Sequence, residues 1–126
     1  MTVGPILVGT AGWSYPDWEN LVYEPGKTAQ RLAMIARYLD CVEIDSSFYR
    51  PTAARTTAGW VRTLDRQPEF RFLAKAWQRF THERSSPWTS AEYDLFTNGL
   101  QPLRESARLD AELFQFPWIS DRFSTL

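Results

Sequence analysis

Glu43 and Asp45 stand two residues apart, interleaved with Val42 and Ile44. On a strand this spacing places both carboxylates on one face, roughly 6–7 Å apart along the chain, and the two aliphatic side chains on the other. A carboxylate turned into a protein interior must be paired, hydrogen-bonded or metal-bound, because isolated burial is costly. The pair therefore reads either as an acid/base or metal-binding pair or as part of a structural ion pair between Glu43 and Lys75. Lys75, at the end of another strand-like run, is suited to orienting a carboxylate or holding an anion. His82 is the only histidine; its imidazole suits a general base, a phosphate contact or a metal ligand. Glu43, Asp45, Lys75 and His82 are the candidate catalytic residues. One histidine among scattered carboxylates specifies no metal and no cofactor, and no Cys/His cluster has zinc spacing.

A second set has the character of binding groups. Gly9, Thr10 and Gly12 allow a tight turn with exposed amides, although they form neither a dinucleotide fingerprint nor a Walker loop. Trp13, Tyr15 and Tyr49 offer aromatic faces for a sugar or a base, as do Trp18, Phe48 and Trp77. Thr81 adjoins His82, and Gln115 has an amide that can donate to a ligand oxygen. Each has a plain alternative: a turn for the glycines, loop packing for the aromatics and for Gln115, an ordinary hydrogen-bonded side chain for His82.

These residues need elements to hold them. Ile6, Leu7 and Val8, closed by Gly9, read as a buried strand. Residues 28–39 carry Leu32, Ile35, Ala36 and Leu39 at helical spacing. Residues 41–46 alternate as a strand. Pro51 and Thr52 open a helix with Thr52 at its N-cap, and Thr57, Trp60, Val61 and Leu64 form its buried stripe. Residues 70–74 read as a third strand and 76–88 as a loop. Thr89 and Glu92 form a capping box. The helix after it buries Phe96, Leu100, Leu103 and Ala107, and Pro102 should kink or split it. Residues 113–116 read as a fourth strand stopped by Pro117. This β-α-β-α-β-α-β order is the pattern of a parallel α/β sheet with right-handed crossovers.

Four phrases in this order resemble the YecE-like family, domain of unknown function 72. They are Val8-Gly9-Thr10-Ala11-Gly12-Trp13-Ser14-Tyr15 with Trp18 and Tyr23-Glu24-Pro25; Val42-Glu43-Ile44-Asp45-Ser46-Ser47-Phe48-Tyr49-Arg50; Phe70-Arg71-Phe72-Leu73-Ala74-Lys75-Ala76 with Phe80-Thr81-His82-Glu83-Arg84; and Leu113-Phe114-Gln115-Phe116-Pro117-Trp118. Asp45 stands where the family commonly has Asn, and Ile119-Ser120 replaces the usual Ser-Phe. The resemblance implies a TIM barrel and brings no established activity with it. In a TIM barrel the active site lies at the C-terminal strand ends, where all four phrases fall. Such barrels take about 250 residues and eight strands, so residues 1–126 are expected to be an incomplete, truncated N-terminal half of about four strands and three helices.

Charge and composition limit the partners. The chain holds 14 Lys and Arg against 15 Asp and Glu, a formal net charge of −1, and the two halves are alike: six basic and six acidic residues in 1–63, eight and nine in 64–126. No basic arm exists, which disfavours nucleic acid as a partner. No segment has the run of about 18 apolar residues that crosses a membrane, and nothing resembles a signal peptide. Cys41 has no second cysteine to pair with, and the cytoplasm is the expected compartment. The expected function is binding, with or without catalysis, of a sugar-like or phosphorylated small molecule at a polar, aromatic-lined mouth. A non-catalytic binding protein, a nucleic-acid-related role and a non-functional fragment are the alternatives. Four strands also leave two open sheet edges, a route to self-association.

Overall fold

The computed structural model describes residues 4–118. Its elements run β1 (Gly9–Ala11), α1 (Arg31–Ile35), β2 (Cys41–Ile44), α2 (Ser46–Tyr49), α3 (Ala54–Thr63), β3 (Arg71–Lys75), α4 (Gln78–Thr81), α5 (Ser90–Glu105) and β4 (Leu109–Leu113). The strands form one parallel sheet in the order β1-β2-β3-β4. Val42 lies opposite Phe72, and Ile44 opposite Ala74. All four are fully buried and share one face, because alternate side chains of a strand point the same way. Leu32 and Ile35 from α1, Leu64 just after α3, and Phe96, Leu100 and Leu103 from α5 complete the core on that face. Glu43, Leu73 and Lys75, on the opposite face, are half-buried.

The first strand begins later than its apolar residues suggest. Ile6 and Val8 are 85% and 59% exposed. They lead into the sheet through Asp40, whose carboxylate accepts from the Val8 amide and whose own amide donates to the Val8 carbonyl, each at 2.9 Å. The ladder starts where Gly9 meets Cys41. A Cβ on residue 9 would stand 2.0 Å from the Cys41 carbonyl oxygen, so only glycine fits.

The last strand is displaced in the other direction, to Leu109–Leu113 instead of residues 113–116. Ala107, at φ 57°, closes α5, so it stands exposed outside the helical stripe. Arg108 then fixes the register. Its guanidinium is buried and donates to the carbonyls of Leu64, Gln67 and Phe70 at 2.8–3.0 Å, while its own carbonyl accepts from the Phe72 amide at 2.7 Å. The strand must begin at the next residue.

Among the helices, the Thr89–Glu92 capping box is present. Pro102 lies inside α5 without splitting it. Thr57 donates its hydroxyl to the Gly99 carbonyl at 2.7 Å, tying α3 to that turn. The N-cap of α3 is Ala53, not Thr52, and no side chain caps it. Gly99 packs so closely on the Thr52 carbonyl that a Cβ would lie 1.8 Å from its oxygen, and this contact places the loop before α3. Residues 28–39 open with a 3-10 turn, Thr28–Gln30, before the short α1.

Among the described residues, the face that carries Glu43 and Leu73 is only partly covered, and β1 and β4 each pair on one side only. The 126-residue chain is therefore expected to associate with itself. Sedimentation velocity should show species larger than the monomer, and a monomer with one sharp melt would contradict this. Arg108→Met is expected to lower stability by at least about 1–3 kcal/mol, because buried carbonyls lose their donor; urea midpoints measure it.

Candidate functional site

The end of β2 positions the carboxylate pair. Burial of Val42 and Ile44 sends Glu43 to the open face, and at Asp45 the chain leaves the strand for helical backbone (φ −78°, ψ −34°). This turn leaves Asp45 near enough to Glu43 for the charge of one carboxyl group to act on the other. Ser47 anchors the turn. Fully buried, its hydroxyl lies 2.8 Å from the Ile44 carbonyl and 2.6 Å from the Lys75 carbonyl, joining the ends of β2 and β3.

The Glu43 carboxyl is held above its ordinary range. Burial is the main cause, followed by the hydrogen bond to Asp45 and the charge of that group; the charge of Lys75 opposes them. Glu43 therefore holds its proton to higher pH than an ordinary glutamate, as a buried carboxyl beside a like charge does. Among the described residues no ion pair within 4.0 Å joins Lys75 to Glu43. The structural ion pair that the sequence offered as an alternative does not form: the Lys75 ammonium stands 5.2 Å from the Phe48 ring centroid instead.

The segment after β1 builds a wall beside the pair. Gly12 adopts φ 78°, a left-handed conformation that glycine takes without strain. Its amide donates to the Glu43 carbonyl at 2.8 Å, and the Thr10 hydroxyl donates to the Gly12 carbonyl at 2.8 Å. Tyr23, buried in the core, donates its hydroxyl to the Trp13 carbonyl at 2.5 Å and accepts from the Tyr15 amide at 3.3 Å. Arg31 braces the same loop through Ser14 and Glu19. Together these contacts shape a cavity of about 420 Å³ lined by Gly12, Trp13, Ser14, Tyr15, Asp45 and Ser46. The Tyr15 phenol donates to the Ala11 carbonyl. Burial, then the charges of Asp45, Tyr23 and Glu43, push its titration upward, so it remains a proton-bearing donor.

The other candidates fall elsewhere. His82 is exposed, stands edge-on to Phe48 with ring centroids 5.0 Å apart, and bonds Thr81 through Nδ1 at 2.7 Å. Thr81 is 1% exposed, so it supports His82 and offers no surface of its own. Tyr49 is exposed and packs edge-on to Phe48. Neither His82 nor Lys75 lines the cavity beside Asp45. Gln115 is exposed beyond β4 and also lies outside it. Tyr23 and Ser47 carry supporting roles that their residue types do not announce. The only sequence signal for them was their place inside the two phrases around residues 8–25 and 42–50. Among the described residues no group of three His, Cys, Asp or Glu could hold a metal ion.

Parallel strands in chain order, helices on one face and a carboxyl pair at the C-terminal strand ends define a protein of the (β/α) TIM-barrel type, here with four strands. The family described as "Protein of unknown function DUF72" matches residues 7–124, and the chain belongs to it. It is 36% identical over 118 residues to the UPF0759 protein YunF of Bacillus subtilis (strain 168), covering 89% of this chain and 40% of that protein. A solved DUF72 family protein from Thermotoga maritima MSB8 superposes with a TM-score of 0.71 at 29% identity, covering 88% of this chain and 44% of that one. One from Enterococcus faecalis V583 gives 0.70 at 25% identity, over 88% and 39%. The chain thus spans well under half the length of these relatives.

The raised carboxyl gives the stability a pH dependence. The folded chain holds the Glu43 proton to higher pH than the unfolded chain does. The resulting stabilisation is complete below the ordinary carboxyl value of 4.5 and is lost as pH rises through the raised one. Glu43→Gln removes this loss, so relative to the parent it is expected to gain stability between about pH 4 and pH 8. Urea midpoints of both chains across that range check the sign.

Proposed function

We propose that the mouth beside β1 and β2 binds a sugar-like or phosphorylated small molecule, and that the Glu43–Asp45 pair moves a proton on it. The observation that carries this reading is the placement of Asp45 in a cavity of about 420 Å³ walled by Trp13 and Tyr15, with Glu43 near enough for its carboxyl to feel the charge of Asp45. Carboxylates accept from hydroxyl groups, and the Tyr15 phenol oxygen, whose own proton goes to the Ala11 carbonyl, can accept as well. The indole and phenol rings offer apolar faces to the carbon skeleton. A carboxyl that keeps its proton to higher pH suits a general acid, with its neighbour placed to accept one, and activity should depend on two apparent ionisations of the pair.

Binding without chemistry is the second reading. It draws support from Lys75 and His82, which stand against Phe48 and line no wall of the cavity. A panel of hexoses and hexose phosphates, followed by tryptophan fluorescence and by product analysis, separates the two. Proton transfer predicts that Glu43→Gln lowers turnover by about 10²–10⁴-fold with binding largely kept. Binding alone predicts no turnover in the parent and weakened affinity in Trp13→Ala. If no member of the panel binds, both readings fail.

A further inference from the structure

Next to the carboxyl cavity lies another of about 430 Å³, lined by Ser46, Arg50, Thr52, Arg55, Thr56 and Trp60 among others. No carboxylate lines it. Among the described residues neither Arg50 nor Arg55 has a carboxylate within 4.0 Å or a side-chain hydrogen bond, whereas Arg31, Arg79 and Arg104 are all ion-paired. The larger cavity at the opposite end of the sheet differs in this respect: its cations Arg37, Arg66 and Arg71 are accompanied by Asp40, Glu69 and Asp110.

The backbone accounts for the convergence. Arg50 is extended (φ −160°, ψ 152°), as the residue before a proline prefers. The chain then passes through Pro51 before α3 begins at Ala54, so Arg50 precedes the helix and Arg55 lies in its first turn, and both line the one cavity. Two like charges with no counter-charge in one concavity favour an anion between them. The start of α3 has no capping side chain and no acidic residue in its first turn, which adds positive potential.

We infer that this cavity is an anion subsite for the phosphate of a phosphomonoester, held by the guanidinium groups of Arg50 and Arg55 with the hydroxyls of Ser46, Thr52 and Thr56 as further donors. Paired guanidiniums suit phosphate oxygens, and three hydroxyls leave a donor for each remaining oxygen. The subsite joins the carboxyl cavity: Ser46 lines both, and Trp13 meets Trp60 edge-on across the boundary with ring centroids 4.9 Å apart. A phosphorylated ligand would seat its phosphate at the arginines and direct its hydroxyl-bearing part to Glu43 and Asp45. This assignment rests on the proposed function and narrows its ligand to the phosphorylated class.

The test titrates the full 126-residue chain at low salt with inorganic phosphate, a hexose phosphate and the neutral hexose, read by fluorescence of the tryptophans. Phosphate should bind the parent and Arg66→Ala alike, and at least about tenfold more weakly when Arg50→Ala and Arg55→Ala are combined. Equal phosphate affinity in the parent and the double variant, or no response to phosphate at all, overturns the subsite. If the neutral hexose still binds in that case, the proposed function survives without the subsite. If phosphate binds through the two arginines but the hexose phosphate binds no more tightly than phosphate itself, the subsite stands and the sugar reading falls.

Discussion

Burial of Val42 and Ile44 beneath the helices is the constraint on which the rest depends. Both are wholly inaccessible, and a one-residue slip of β2 would exchange them for Glu43. Removing either from the core would expose apolar surface worth about 1.5–3 kcal/mol per side chain. The sheet therefore cannot adopt another register, and Glu43 must face the open side. The helix layer thus positions a polar group that it never touches.

The carboxyl pair depends on a second layer of constraints, all of them long-range. Ser47 joins β2 to β3 through two carbonyls. Tyr23 reaches back to hold Trp13 and Tyr15, and Gly12 bonds the Glu43 carbonyl. Neither Ser47 nor Tyr23 is itself a candidate for chemistry. They convert a strand end and a loop into one wall with a defined cavity, in the way that supporting contacts hold a first set of functional groups in place.

The open face gives the sheet its other distinctive property. In a closed barrel the inward side chains fill a packed interior. Here, among the described residues, Glu43 and Leu73 are only half-buried, and exposed apolar residues flank the two edge strands along the chain: Ile6, Leu7 and Val8 before β1, Phe114, Phe116 and Trp118 after β4. The solved relatives in which this fold recurs are about twice as long or more.

Much of the fold was legible from local pattern. Alternation in residues 41–44, helical spacing from Thr57 to Leu64 and the Thr89–Glu92 box each specify an element by themselves, since periodicity and capping are local properties. Placing Glu43 and Asp45 on one strand face was not, because β2 ends at Ile44 and Asp45 already has helical backbone. Nor were the strand bounds. Ile6, Leu7 and Val8 look like a buried strand, but the close approach of Gly9 to Cys41 decided where pairing starts. Residues 113–116 look like the fourth strand, but Arg108, held by carbonyls some forty residues away, placed it earlier. The partner of Lys75, the separation of His82 from the carboxyl pair and the shared cavity of Arg50 and Arg55 were likewise decided only in three dimensions. By itself the sequence determined which residues carry charge, which must be buried and which face each takes. Distances between groups far apart in the chain depend on packing contacts that no local pattern encodes, and those only the tertiary structure could decide.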